Sequence, residues 1–223
     1  MISTCEKYKT FDYVFFRSEN FDETKKYPTV IHLHGAGGRG RNIDIIKDNP
    51  YYRMAGKYGY DFVSFGPQCH AESWFDIFQD LTGFIAHVRE LPFVDRDRLY
   101  IMGASMGGYA TWQMIMSKPN WFAAAVPICG GGMDWFAYRL KGMPIWAYHG
   151  KLDPTVKCEE SEKMVKRANE CGADARLTVV PDVAHDVWNN AYSDKNLFDW
   201  MFSQKLGKRE PCKDEFNDQT LYG

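Results

Sequence analysis

Nowhere does the chain hold about 18 consecutive apolar residues, which excludes a membrane-spanning helix. It also lacks a basic excess: 27 Lys and Arg against 29 Asp and Glu leave a formal charge of −2, so no field attracts nucleic acid. The opening Met1-Ile2-Ser3-Thr4-Cys5-Glu6-Lys7 has no apolar centre of the kind a signal peptide needs, and the expected compartment is the cytoplasm. Cys5, Cys69, Cys129, Cys158, Cys171 and Cys212 are scattered, with no Cys-x-x-Cys. A chain with an ample core does not need disulfides, so thiols are expected. There is no His-Glu-x-x-His and no clustered Cys/His set, so no metal is expected. Internal repeats, linkers and low-complexity segments are missing too.

What is present suits one globular domain. Of 223 residues, 45% are hydrophobic and 16% aromatic, which supplies a large core and leaves aromatic side chains for a pocket. The reading is a single domain over 1–204 followed by a polar tail over 205–223. Apolar runs at 13–17, 29–34, 60–65, 99–102, 123–128, 145–148 and 177–180 read as strands. Helical patterns at 43–58 (interrupted near Pro50), 73–90, 109–117, 135–140, 155–170 and 190–204 alternate with them. Inner strands that are apolar throughout, separated by helices, predict an α/β fold with a mostly parallel central sheet covered on both faces.

The chain is arranged around Leu99-Tyr100-Ile101-Met102-Gly103-Ala104-Ser105-Met106-Gly107-Gly108. A buried strand, an abrupt Gly-x-Ser-x-Gly turn and a helix form the context in which such a serine stands above a sheet. Gly103 and Gly107 are small enough to let strand and helix pass. The Met106 N–H then lies at a helix N-terminus, where it can stabilise an oxyanion.

Function in open parallel sheets collects at the carboxyl ends of strands. Ser105, Asp153 and His185 each follow a predicted strand, in the chain order Ser, acid, His. A serine hydroxyl is a poor nucleophile near neutral pH, so an imidazole must take its proton, and a carboxylate must fix that imidazole. His185 is the only histidine after the acid. Asp153 also reads as a cap for the helix starting near Thr155, and Asp182 and Asp186 lie nearer His185 in sequence. Ala36 or Gly37, in the glycine-rich loop after the second strand, is expected to join Met106 in the oxyanion hole. That loop lacks the Gly-x-x-x-x-Gly-Lys-Ser/Thr pattern of a phosphate cradle. His32 and His34 read as structural, and His70, His87 and His149 are given no catalytic role.

Together His34-Gly35-Ala36-Gly37-Gly38, Gly103–Tyr109, Pro127–Gly132, His149-Gly150-Lys151-Leu152-Asp153 and His185-Asp186-Val187-Trp188 resemble the α/β-hydrolase superfamily. More narrowly, the chain is similar to esterases related to the prolyl oligopeptidase catalytic domain, to dienelactone hydrolase-like proteins and to feruloyl esterases. The resemblance spans Tyr27 to Gln204. It implies Ser105 as nucleophile, Asp153 as acid and His185 as base, with no cofactor. Two departures stand out: dienelactone hydrolase uses a cysteine where this chain has Ser105, and the propeller of prolyl oligopeptidases has no room here.

Gln68, Trp74 and Trp188 are expected to border the substrate, with Trp135 and Phe136 also at rim positions. Aromatic walls suit a flat acyl group such as a hydroxycinnamate. No large lid fits between the strands at 123–128 and 145–148. The expectation is a serine carboxylesterase for small or aromatic esters, including feruloyl or acetyl carbohydrate esters, whose kcat/KM rises with pH as the base loses its proton. A peptidase or thioesterase of the same fold, or a non-catalytic ligand-binding member, is the alternative.

Overall fold

Strands β1 (Ile2–Tyr8), β2 (Phe11–Arg17), β3 (Tyr27–Leu33), β4 (Val63–Pro67), β5 (Val94–Ala104), β6 (Ala124–Ile128), β7 (Pro144–Gly150) and β8 (Asp174–Val180) hydrogen-bond in the order β1-β2-β4-β3-β5-β6-β7-β8. The computed structural model describes residues 1–212. From β4 across to β8 the strands run parallel, and β2 pairs antiparallel with both β1 and β4. The strand order reverses at β3: the chain steps outward one way to β4 and the other way through β5 to β8. A crevice opens above the carboxyl ends of β3 and β5, and such switch points are where parallel sheets bind ligands.

Helices α1 (Asp44–Lys47), α2 (Pro50–Lys57), α3 (Phe78–Glu90), α4 (Met106–Ser117), α5 (Cys158–Glu170), α6 (Trp188–Ser193) and α7 (Lys195–Ser203) cover both faces. Leu81, Phe84 and Ile85 of α3, Trp112 and Ile115 of α4 and Met164 of α5 bury against one face. Tyr51 and Ala55 of α2, Ala191 of α6 and Phe198 and Met201 of α7 bury against the other. Because both faces are covered, β3 and β6 read as continuous apolar runs rather than alternating ones. Among the described residues, no helix is long and apolar enough to cross a membrane.

Several boundaries differ from the sequence reading for local reasons. Strand β1 lies at the sheet edge with exposed Cys5, Glu6 and Lys7, so it carries no apolar pattern to mark it. The helix expected from Ser73 begins at Phe78, because Ser73 N–H and Oγ–H both donate to Asp76 Oδ2, at 2.8 and 2.9 Å, and hold a turn instead. The helix expected over 190–204 is two helices, since Asp194 leaves the helical conformation and its carboxylate caps α7 through Asn196 N–H at 2.9 Å. The pattern at 43–58 is likewise two helices, with Asn49 capping α2.

Beyond Ser203 the chain does not leave the domain at once. Arg209 Nη2 donates to Phe122 O at 3.2 Å, and Asn120 exchanges two hydrogen bonds of 2.9 Å with the Cys212 backbone. The remainder of the expected tail, 213–223, lies outside the described residues.

Candidate active site

Strand β5 and helix α4 meet at Ser105, whose backbone sits at φ 56°, ψ −117°. A non-glycine residue in that region costs about 1–3 kcal/mol and persists only where the surroundings enforce it. Here the enforcement is close packing. A Cβ on Gly107 would stand 2.0 Å from Leu33 O of β3, and one on Gly103 would stand 2.4 Å from Gly107 O. Only glycine lets helix, elbow and neighbouring strand approach this closely.

Two further strand ends bring in the partners. The loops after β7 and β8 are joined by backbone bonds, Lys151 N–H to Val180 O at 2.9 Å and Leu152 N–H to Val183 O at 3.0 Å. They place Asp153 and His185 beside the elbow. Ser105 Oγ–H donates to His185 Nε2 at 2.8 Å, and His185 Nδ1–H donates to Asp153 Oδ2 at 2.7 Å. The other carboxylate oxygen, Oδ1, accepts Thr155 N–H and Val156 N–H, each at 2.9 Å. Asp153 thus takes the acid position but does not cap the helix: α5 starts at Cys158 with Lys157 at its N-cap, and the Oδ1 bonds hold the turn that precedes it. Burial works against its charge, but the bonds from His185, Val156 and Thr155 outweigh that and hold its carboxyl below the usual carboxylate range. Among the described residues, neither Asp182 nor Asp186 bonds the His185 ring.

The glycine-rich loop forms a 3-10 turn, Ala36–Gly38, directly after β3. His34 anchors its start: Nδ1–H donates to Gly35 O at 2.6 Å, and Nε2 accepts Cys69 N–H at 2.9 Å. Burial is the main cause that lowers the His34 pKa to about 4, so the ring stays neutral and keeps that tautomer. Neighbouring His32 is buried against Tyr51 and bonds Tyr192 Oη at 2.9 Å, and burial lowers it to about 3. Within the described residues, the N–H groups of Ala36, Gly37 and Met106 donate to no protein acceptor. Backbone donors of this kind, at a helix N-terminus and in a tight turn, can receive a developing oxyanion.

A cavity of about 470 Å³ opens on Ser105 and His185. The loop from His34 to Gly38, the segment around Ile45 to Pro50, and Trp188 and Tyr192 line it. Trp188 meets His185 edge-on with ring centroids 5.5 Å apart. The connection between β6 and β7 carries only a short 3-10 helix, Asp134–Leu140, and no lid.

The sequence profile of the prolyl oligopeptidase family matches residues 52–147, the segment from α2 through the elbow into β7. The crystal structure of a thermostable esterase superposes with a TM-score of 0.76 at 31% identity, covering 92% of this chain and 63% of that one. The chain has the α/β-hydrolase fold. A ferulic acid esterase shares the fold at 15% identity, with a TM-score of 0.69 and coverage of 91% and 97%. Dipeptidyl-peptidase 5 of Porphyromonas gingivalis is 21% identical over 236 residues, 82% of this chain and 34% of that protein. The chain spans about an eighth to a third of the length of the curated peptidase relatives it matches, 13%, 22% and 34% of three of them.

Two of the expected substrate contacts are corrected by the structure. Gln68 is 1% exposed and does not line the cavity; its Nε2 donates to Gly38 O at 2.9 Å and Asn42 O at 2.8 Å. Trp74 is fully buried, and its Nε1–H donates to His34 O at 3.1 Å. Both stand behind the glycine loop and brace it, because a backbone turn with few bonds of its own must be held by side chains. Trp188 does line the cavity, whereas Trp135 is 64% exposed and does not.

The fold also makes contacts that spacing in the sequence does not announce. Ligand atoms of Cys129, Asp153 and His185 lie within 4.8 Å of one another. Cys129 is buried at φ 39°, and burial pushes its thiol up to about 12, which keeps it protonated. His149, given no catalytic role from sequence, lies with Nε2 3.3 Å from Asp153 Oδ2, the oxygen that His185 also meets.

Proposed function

We propose that the protein is a serine carboxylesterase in which Ser105 is the nucleophile, His185 the base and Asp153 the orienting acid. The observation that carries the reading is the unbroken hydrogen-bonded line Ser105–His185–Asp153 opening on a cavity with unengaged backbone donors on both sides of the serine. Ser105 Oγ attacks the ester carbonyl while its proton passes to His185 Nε2. The carbonyl oxygen, now negative, is received by the N–H groups of Met106 and of Ala36 or Gly37. His185 returns the proton to the departing alcohol, leaving an acyl-serine. Water, deprotonated by the same imidazole, repeats the attack and frees the acid. Throughout, the Asp153 carboxylate holds His185 in the tautomer that presents Nε2 to the serine.

The substrate we favour is a small or aromatic ester, the feruloyl type included. Support comes from the Trp188 wall, the absence of a lid and the likeness to the thermostable esterase. The match to the prolyl oligopeptidase family profile favours amide cleavage as a second reading. A panel of p-nitrophenyl acetate, butyrate and decanoate, methyl ferulate and a dipeptidyl p-nitroanilide separates the two. Oxyester turnover exceeding anilide turnover in kcat/KM supports the first reading, and the reverse order supports the second. Ser105→Ala is expected to lower kcat by on the order of 10⁴-fold or more. Unchanged turnover in that variant sinks both.

A further inference from the structure

His149 is the penultimate residue of β7, with its ring fully buried, four residues before Asp153. Its Nε2 lies 2.9 Å from Val156 O and 3.3 Å from Asp153 Oδ2. A carbonyl only accepts, so Nε2 carries a hydrogen and donates it to Val156 O, while Asp153 Oδ2 is a close polar contact of the same N–H edge. On the opposite side of the ring, Nδ1 is 2.7 Å from Ser161 Oγ, and Ser161 Oγ is 2.8 Å from Gly130 O in the glycine run after β6. The Ser161 hydroxyl lies between the ring and that run, and its one hydrogen faces both Nδ1 and Gly130 O.

We propose that His149, backed by Ser161, is a positioning residue for the Asp153 carboxylate, extending the Ser105–His185–Asp153 line through to Gly130. This rests on the proposed role of Asp153. His149 acts on that carboxylate twice. Directly, its N–H edge lies 3.3 Å from Oδ2, the oxygen that accepts from His185. Indirectly, it ties down Val156, whose own N–H holds Oδ1 at 2.9 Å. Both oxygens therefore depend on one ring, and so does the angle at which Oδ2 meets His185. Other titratable groups surround the cluster: Cys129 beneath it, Tyr109 from α4, Glu160 from α5 and Asp186 beside His185. Within the described residues, His185 and His149 are the only side chains that reach the Asp153 carboxylate.

The sign of the effect follows. The positive N–H edge 3.3 Å from Oδ2 stabilises the carboxylate and so tempers it as an acceptor for His185 Nδ1–H. Without it, Asp153 holds the His185 proton more tightly, and a higher pH is needed to free the base. In His149→Phe, the acid limb of kcat/KM is expected to move to higher pH. Plateau kcat is expected to fall roughly tenfold, less than the 10²-fold that a full ångström of misplacement costs, with little change in KM. Ser161→Ala is expected to act in the same direction more weakly, and the double variant to be no worse than His149→Phe, since both act along one path. His149→Gln, which restores an N–H donor, should recover part of the loss.

Active sites are first counted by fluorophosphonate titration, so that unfolded protein does not enter the rate. The low-field proton resonance of His185 Nδ1–H is then followed against pH in each variant, which reads the His185–Asp153 bond without turnover. A displaced resonance and acid limb in Ser161→Ala support the relay even if His149→Phe does not fold. A folded Ser161→Ala or His149→Phe whose resonance and acid limb match the parent overturns it and leaves His149 a packing residue. If the phosphonate does not label Ser105, the esterase reading fails separately, and the resonance alone decides the relay.

Discussion

His34 Nε2 accepts the backbone N–H of Cys69 at 2.9 Å, so the loop after β4 holds the loop after β3 in place. Gln68, Trp74 and Arg39 complete the brace, the last through Arg39 Nε to Ala36 O at 2.9 Å and Nη1 to Glu72 O at 2.8 Å. A tight turn with two internal bonds, Gly38 N–H to Gly35 O at 3.0 Å and Arg39 N–H to Ala36 O at 3.2 Å, cannot aim two donors unaided.

Removing the brace is therefore expected to lower kcat and leave KM nearly unchanged. Gln68→Ala frees the Gly38 and Asn42 carbonyls, and a loss of about tenfold is expected, below the 10²–10³ that follows from deleting an oxyanion donor outright. Steady-state kinetics on a p-nitrophenyl ester reads it. A rise in KM with kcat unchanged would return Gln68 to the substrate-contact role read from sequence.

Asp153→Asn keeps the shape of the acid and inverts its hydrogen-bond preference at His185 Nδ1. A loss in kcat approaching 10⁴-fold is expected, because the imidazole then presents the wrong nitrogen to Ser105. Thermal unfolding should move far less than activity does, since a carboxamide oxygen can still accept from Thr155 and Val156. Near-parent activity would show that another group orients the base.

Acid stability is expected to be limited by His32 and His34. Both are held neutral in the folded chain, at about 3 and about 4, below the unfolded value of about 6.5. Their stabilisation is complete above that unfolded value. It declines as pH falls, because the unfolded chain takes up protons that the folded one refuses. Between pH 7 and 5 each ring is expected to cost on the order of 2 kcal/mol. The lowered Asp153 carboxyl acts in a more acidic window: its contribution is present above the unfolded carboxylate value and disappears as pH falls through the folded one. Urea midpoints at pH 7 and pH 5 test this, and His34→Gln should flatten the slope. An equal midpoint at both pH values would refute the assignment.

Trp188 is expected to discriminate among acyl groups. Trp188→Ala removes an aromatic wall beside His185 and should raise KM for methyl ferulate about tenfold while changing p-nitrophenyl acetate little. Equal effects on the two substrates would place the aromatic acyl group elsewhere.

Much of this is local and therefore visible in the chain itself. Gly103-Ala104-Ser105-Met106-Gly107 between a strand and a helix specifies the elbow because close passage demands small residues at two set positions. The apolar runs that became β3, β5 and β6 had to be buried on both faces, which dictates a parallel sheet clothed in helices. The order Ser105, Asp153, His185 was equally legible, each lying after a predicted strand. Strand β1 was not, because an edge strand buries too little to need a hydrophobic pattern. Gln68 and Trp74 occupied the right loop but the wrong side of it. Whether a side chain faces a cavity or a neighbouring backbone depends on three-dimensional packing across 30 to 40 residues of sequence. His149 is the sharpest case: its contacts with Asp153, Val156 and Ser161 arise only when the β7 loop folds back over α5. Residue types and spacing thus determined which groups were available for chemistry and which segments carried them. The tertiary structure alone decided which of those groups touch, because hydrogen bonds reach about 3 Å and only packing brings distant segments that close.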